Sequence, residues 1–209
     1  NATSAATLAI SAATGLPADR FLGTDNFGGG NIITQVASAT DPDAALGFVS
    51  VEFAQSERDE VKQLAYQHFG QTCGYWADST RNGFDKANIR NGKYWLWTNH
   101  RFYAPVDESG NIENASVARF VAAITGAAES TAQVPNLELI VADGTVPDCA
   151  MRVSRDEDYG ELASYAPAAP CGCAFDFFAT GATTCEECET SDTCPNATDQ
   201  CRNGYCEAW

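Results

Sequence analysis

The sequence predicts an α/β protein that ends in a small disulfide-stapled tail, and three observations carry that reading. The 209 residues are 44% apolar, enough for one sizeable core or two small lobes, which excludes intrinsic disorder as the main description. Short helical and strand-like patterns alternate along most of the chain. The last 25 residues hold five cysteines spaced C-x2-C-x5-C-x6-C-x4-C, in a stretch with too little apolar content to build a core of its own.

Taken in order, residues 4 to 14 are alanine-rich, with Ser4 as an N-cap and Gly15 and Pro17 as the stop, so a short helix is expected there. Asp25 to Asn31 contains Gly28, Gly29 and Gly30 and cannot hold regular structure, whereas Ile32 to Ala39 can; the glycine-rich loop therefore opens a second helix. After the Asp41-Pro42-Asp43 break, the apolar run Ala45 to Val51 reads as a buried strand, and helical charge spacing resumes from Ser56 to Lys62. An aromatic middle follows, with Tyr75, Trp76, Tyr94, Trp95, Trp97, Phe102 and Tyr103, and Tyr94 to Tyr103 reads as a long strand. Asp107 to Asn111 is a turn that leads into a helix at Ala115 to Thr125. Past Tyr159 the chain loosens into Pro, Ala, Gly and Cys.

Charge and cysteine usage narrow the function classes. Twelve Lys plus Arg against 28 Asp plus Glu give a net charge of −16, which offers nothing to a nucleic-acid backbone or an anionic membrane surface. No run approaches the ~20 apolar residues of a membrane span, so direct membrane insertion is not expected. Nine cysteines beside one methionine and two histidines read better as disulfides than as zinc sites. The Cys185-x2-Cys188 pair lacks a second such pair to complete a zinc set. The expected location is periplasmic, cell-surface or secreted, with any leader already removed ahead of Asn1.

Catalysis has little to draw on. The sequence has no G-x-S-x-G elbow, no H-E-x-x-H and no G-x-x-x-x-G-K-[ST], and His68 and His100 sit among aromatic residues, where a structural role is expected. Asp156 to Gly160 resembles half an EF-hand loop, but the twelfth position falls on Pro167 where a bidentate Glu is needed. We therefore expect no catalytic residues, no resident metal and no cofactor. The more specific signal is a pair of helix N-termini: Thr3 and Ser4 precede the first, and Gly28, Gly29, Gly30 and Asn31 precede the second. Free backbone N–H groups and hydroxyls at such places bind oxyanions without any cation, while the plain alternative is an N-cap and a tight connection.

Several segments carry a family resemblance: Gly15 to Phe21, the Gly28 to Gly30 loop, Ala45 to Phe48, Asp78-Ser79-Thr80, Asp85 to Trp97 and Val146 to Met151. Together they resemble phosphate-type substrate-binding proteins of ABC transporters, over about residues 1 to 175. The resemblance implies a type II periplasmic-binding-protein-like fold with one lobe largely present and the other partial. On that reading residues 1–95 supply a second-lobe α/β segment, 96–180 return to an incomplete first lobe, and 181–209 form the cysteine-rich tail. The family clamps a tetrahedral oxyanion with a Ser-Gly-Thr at a helix start; here the matching triplet is Ser4-Ala5-Ala6, which keeps the first hydroxyl and departs at the other two positions.

The implied partners are a small oxyanion, a membrane transporter, and an N-terminal half or second chain that completes the clamp against residues 104–150. A structural or interaction protein of the cell surface that reuses the fold is the alternative. Cys185, Cys188, Cys194, Cys201 and Cys206 are expected to pair mostly with one another, and Cys73, Cys149, Cys171 and Cys173 to tie the aromatic middle to the end of the globular region. Because nine is odd, one cysteine stays without an intrachain partner.

Overall fold

The computed structural model of the chain describes residues 28–41, 43, 45–125 and 136–208. They fall into two compact units, one within residues 1–61 and one within 62–209. The divisions expected at 95/96 and 180/181 both lie inside the second unit. The helix expected over residues 4–14, and Thr3 and Ser4 with it, lie outside the described residues.

In the first unit, helix α1 (Gly29–Ala37) begins inside the glycine-rich segment: Gly29, Gly30 and Asn31, expected to be irregular, form its first turn, and it ends at Ala37 rather than Ala39. Its buried residue is Ile33, and Ile32 and Val36 pack so closely on Gly47 that a Cβ there would lie 2.7 and 2.9 Å from their methyl groups. Residues 45–50 form no strand, contrary to the sequence expectation. An apolar run becomes a strand only with a ladder partner; none pairs with it among the described residues, and Leu46 and Phe48 are 65% and 74% exposed. The chain turns instead into helix α2 (Val51–Ser56), started by Ser50, whose hydroxyl donates to Glu52 at 2.5 Å. The helical spacing read from Ser56 to Lys62 is also corrected: α2 ends at Ser56, and residues 57–60 are turns.

The second unit is a small α/β arrangement of short helices and two tiny antiparallel sheets. Its helices are α3 (Ala87–Arg90), α4 (Ala115–Thr125), α5 (Asn136–Ala142) and α6 (Gly172–Thr180), with 3-10 turns at Asp148–Ala150 and Ser191–Thr193. Strand β1 (Val153–Ser154) pairs with β2 (Ala163–Ser164), and β3 (Gln200–Arg202) with β4 (Tyr205–Glu207). Helix α4 spans the expected residues, and its start has a local cause: Asn114 Oδ1 accepts the amides of Ser116 and Val117 at 2.9 and 3.2 Å. The expected turn before it is built on Asp107, whose Oδ1 accepts the amides of Ser109 and Asn111, both at 2.9 Å.

Tyr94 to Tyr103 holds no regular structure, bends where the Trp97 amide donates to Trp95 O at 3.0 Å, and joins no ladder among the described residues, so the long strand expected there is absent. Side chains organise it instead. Trp95 stacks on His68 at 4.3 Å with planes 6° apart, and the Arg155 guanidinium lies 4.0 Å over Trp97 and 5.7 Å from Trp95, donating to the Trp95 carbonyl at 3.2 Å.

One core cluster joins Val141, Ala150, Cys171 and Phe175, a second Ala77, Ile89 and Met151, and a third Cys173, Ala174 and Tyr205. Helix α6 contributes to the first and the third. Four disulfides close this end of the molecule: Cys149–Cys171, Cys173–Cys185, Cys188–Cys201 and Cys194–Cys206. Four of the five tail cysteines pair with one another, and Cys185 reaches back to α6. The tie expected from the aromatic middle through Cys73 is not made: Cys73 is the free cysteine, and it is exposed.

Candidate functional site

The glycine-rich loop supplies the first part of the candidate site. Gly28 stands at φ 96°, a left-handed backbone that glycine adopts without the Cβ penalty other residues meet, and it turns the chain into α1. Among the described residues no side chain caps this end, and no acidic residue occupies the first turn. Asn31 and Ile32 donate their amides to Gly28 O at 3.2 and 3.4 Å. Of the expected set Gly28 to Asn31, the Asn31 amide is thus engaged within the turn, at the positive end of the helix dipole.

These residues border a groove of about 910 Å3 between α1 and α2, whose far wall carries Phe53, Glu57 and Glu60. Phe53 lies against Gly29 so closely that a Cβ on Gly29 would stand 2.4 Å from its ring. The hydroxyls along the groove are turned inward: Thr34 donates to Gly30 O at 2.9 Å, Ser38 to Thr34 O at 2.6 Å and Ser56 to Phe53 O at 3.1 Å. The groove therefore combines amide donors at one end with two carboxylates opposite. Its acidic wall was not read as part of the site from sequence; Glu57 and Glu60 belonged to a charge pattern that gave no sign of facing the glycines.

The second unit holds a denser polar centre that also escaped sequence reading, although its residues lie in the segments Asp78-Ser79-Thr80 and Asp85 to Trp97. Asp78 is fully buried, and its Oδ1 accepts both the amide and Nζ of Lys86, at 2.8 and 2.9 Å. Lys86 is 1% exposed at φ 47°, a left-handed conformation that costs a non-glycine residue strain and that this pairing offsets. Asn88 Nδ2 donates to Asp78 O at 2.6 Å. Burial disfavours the Asp85 carboxylate, yet hydrogen bonds from Ser79 and the Ala87 amide, with the charge of Arg90, outweigh it and hold Asp85 below the usual carboxylate range.

Arg90 links this centre to α6. Its Nε donates to Ala150 O at 2.9 Å, Nη2 to Gly172 O at 3.4 Å, and Nη1 pairs with Asp176, while the guanidinium lies 4.5 Å over the Phe175 ring. Every charge in this group is committed to a partner within the fold, and we assign the group to architecture.

Of the two histidines, His68 is engaged with Trp95 and, through Nδ1, with the Tyr66 hydroxyl at 3.2 Å, and His100 is exposed. The sulfurs of Cys188, Cys194 and Cys206 lie within 4.8 Å of one another, but each belongs to a disulfide and none is a thiolate ligand in this state. No described helix is long and apolar enough to cross a membrane. Comparison with family models, curated proteins and solved structures gave no match to this chain.

Proposed function

We propose that the chain is part of an extracytoplasmic solute-binding protein that captures a small, phosphate-like oxyanion without chemistry. The observation that carries this reading is the uncapped glycine turn at the start of α1, opening on a groove of ligand-pocket size. Glu57 and Glu60 on the opposite wall refine the ligand class. A carboxylate repels a bare anion but accepts a hydrogen bond from one that keeps a proton, so the groove favours a protonated phosphate or phosphonate over sulfate. Four disulfides support a periplasmic, surface or secreted location. A membrane transporter and the segment that completes the clamp belong to the same proposal, as does the type II binding-protein fold.

A second reading, a surface structural or interaction protein that reuses the fold, is favoured by one specific observation. Thr34, Ser38 and Ser56 give their hydroxyl protons to backbone carbonyls and the Asn31 amide goes to Gly28 O, so these groups are engaged within the fold rather than turned to a ligand. Calorimetry separates the two. Binding of phosphate and methylphosphonate, weaker for sulfate and abolished by Gly30→Asp, supports capture. A Cβ at Gly30 meets nothing within 4 Å, so that variant adds charge without a clash. No heat with any of the three anions leaves the structural reading.

A further inference from the structure

Helix α6 holds a guanidinium on one side by a ring and a carboxylate: Arg90 lies over Phe175 and pairs with Asp176. The next two residues, Phe177 and Phe178, contribute to a second concavity of about 580 Å3, closed by the tail through Glu187, Glu189 and Tyr205. The Phe177 ring lies 5.8 Å from Phe178 and 5.6 Å from Tyr205, inclined at 65° and 40°. Burial, and then the charge of Glu187, push the Tyr205 phenol up, so it stays neutral beside that carboxylate. No Lys, Arg or His is among the described residues that line this concavity. The tail around it, residues 185–209, has six acidic residues and one basic one, Arg202.

The geometry assigns this concavity to a basic peptide: a lysine or arginine side chain whose stem lies on the exposed Phe177 ring and whose charged head meets Glu187 and Glu189. Aromatic faces attract cations through their quadrupole, and carboxylates at the rim add direct attraction; an anion is repelled here, and a neutral apolar group gains nothing from the two glutamates. The volume suits one long side chain with its flanking backbone. The hairpin turn at Asn203 and Gly204 also lines the concavity; its Gly204 carbonyl accepts the Cys188 amide at 2.9 Å, so recognition rests on side chains.

The test is a titration of the oxidised full chain with tetralysine, followed by amide chemical shifts, against tetraglutamine as the uncharged control. Tetralysine is expected to shift the amides of Phe177, Phe178, Asn203, Gly204 and Tyr205 and to bind more weakly as salt is raised. The double variant Glu187→Gln and Glu189→Gln should weaken it at least tenfold, and Phe177→Leu, which leaves net charge unchanged, several-fold. Phe177 is 39% exposed and the disulfides stay in place, so both variants keep the fold, checked by near-ultraviolet circular dichroism. A control pair, Glu157→Gln and Glu161→Gln, should leave binding as it was. Shifts scattered over the surface, binding insensitive to Phe177→Leu, equal loss in the control pair, or no binding would each overturn the assignment.

Discussion

Glu207 Oε1 accepts the backbone amide of Cys173 at 2.8 Å and that of Ala174 at 3.3 Å, so a side chain of the last strand caps the first turn of α6. The two residues are 34 positions apart, and no side chain near the start of α6 performs this task. Removing the acceptor with Glu207→Ala should cost about 1–3 kcal/mol in denaturant unfolding, because buried N–H groups lose their partner. Glu207→Gln keeps an acceptor oxygen and should lose much less.

The same residue sets a pH dependence. Burial raises the Glu207 pKa above the ordinary value, and the amide bonds from Ala174, Cys173 and Gly172 only partly offset it. Above the ordinary glutamate range the native carboxyl still holds a proton that the unfolded chain has released. Stability should therefore fall as pH rises from that range through the folded value, and then level off. Denaturant midpoints measured across mildly acidic to neutral pH should show this contribution in the wild type and lose it in Glu207→Gln.

Adjacent glycines at the start of α1 should respond with opposite signs. Gly30→Ala meets open space and reduces the freedom of the unfolded chain, stabilising the helix by about 0.5–1 kcal/mol. Gly29→Ala drives a methyl into the Phe53 ring and should destabilise by about 1–3 kcal/mol. Thermal melts of the two variants, read by circular dichroism, decide this; equal effects would show that Phe53 does not pack on Gly29.

Asp78 and Lys86 form a buried pair, and truncating Asp78 removes the carboxylate that holds both the amide and Nζ of Lys86. Asp78→Ala should cost about 3–5 kcal/mol of stability in the second unit, measured by urea unfolding followed through the tryptophans of the aromatic middle.

The cysteine pattern gives a chemical readout. Alkylation of the native protein without reductant should modify Cys73 alone, and alkylation after reduction all nine cysteines. Replacing both Cys149 and Cys171 by Ser removes a crosslink that spans 22 residues and should lower stability by about 3 kcal/mol by the loop-entropy estimate.

What the sequence revealed depended on how local the cause was. Helix α4 was legible because Asn114 caps it from the adjacent position. Helix α1 was legible from Ile32 to Ala37, but its first turn was not, because Gly29, Gly30 and Asn31 have low helix propensity and are helical only in context. Helix α6 was not: nine residues are too few to display a period, and its cap arrives from Glu207 at the other end of the tail. Ala45 to Val51 has the composition of a buried strand, but pairing is a property of two segments and a single run cannot declare its partner. At the candidate site the same division holds: Gly28 to Asn31 could be named from their neighbours, whereas Glu57 and Glu60 enter the groove only because α2 folds back beside α1.

The tail cystines are interleaved. The Cys188–Cys201 loop and the Cys194–Cys206 loop overlap, so the segment from 195 to 200 belongs to both rings at once. A protease that cuts there opens two rings with one stroke but liberates nothing, since each new end is still held by a cystine to the other side of the cut. Cys173–Cys185 and Cys149–Cys171 then moor the nicked tail to α6 and to the turn before β1. Under mechanical load the pull on the C-terminal strand passes through sulfur rather than through a hairpin of three-residue strands. Such a tail endures proteolytic wear as damaged but undetached material, and its nicked form runs as one band until a thiol is added.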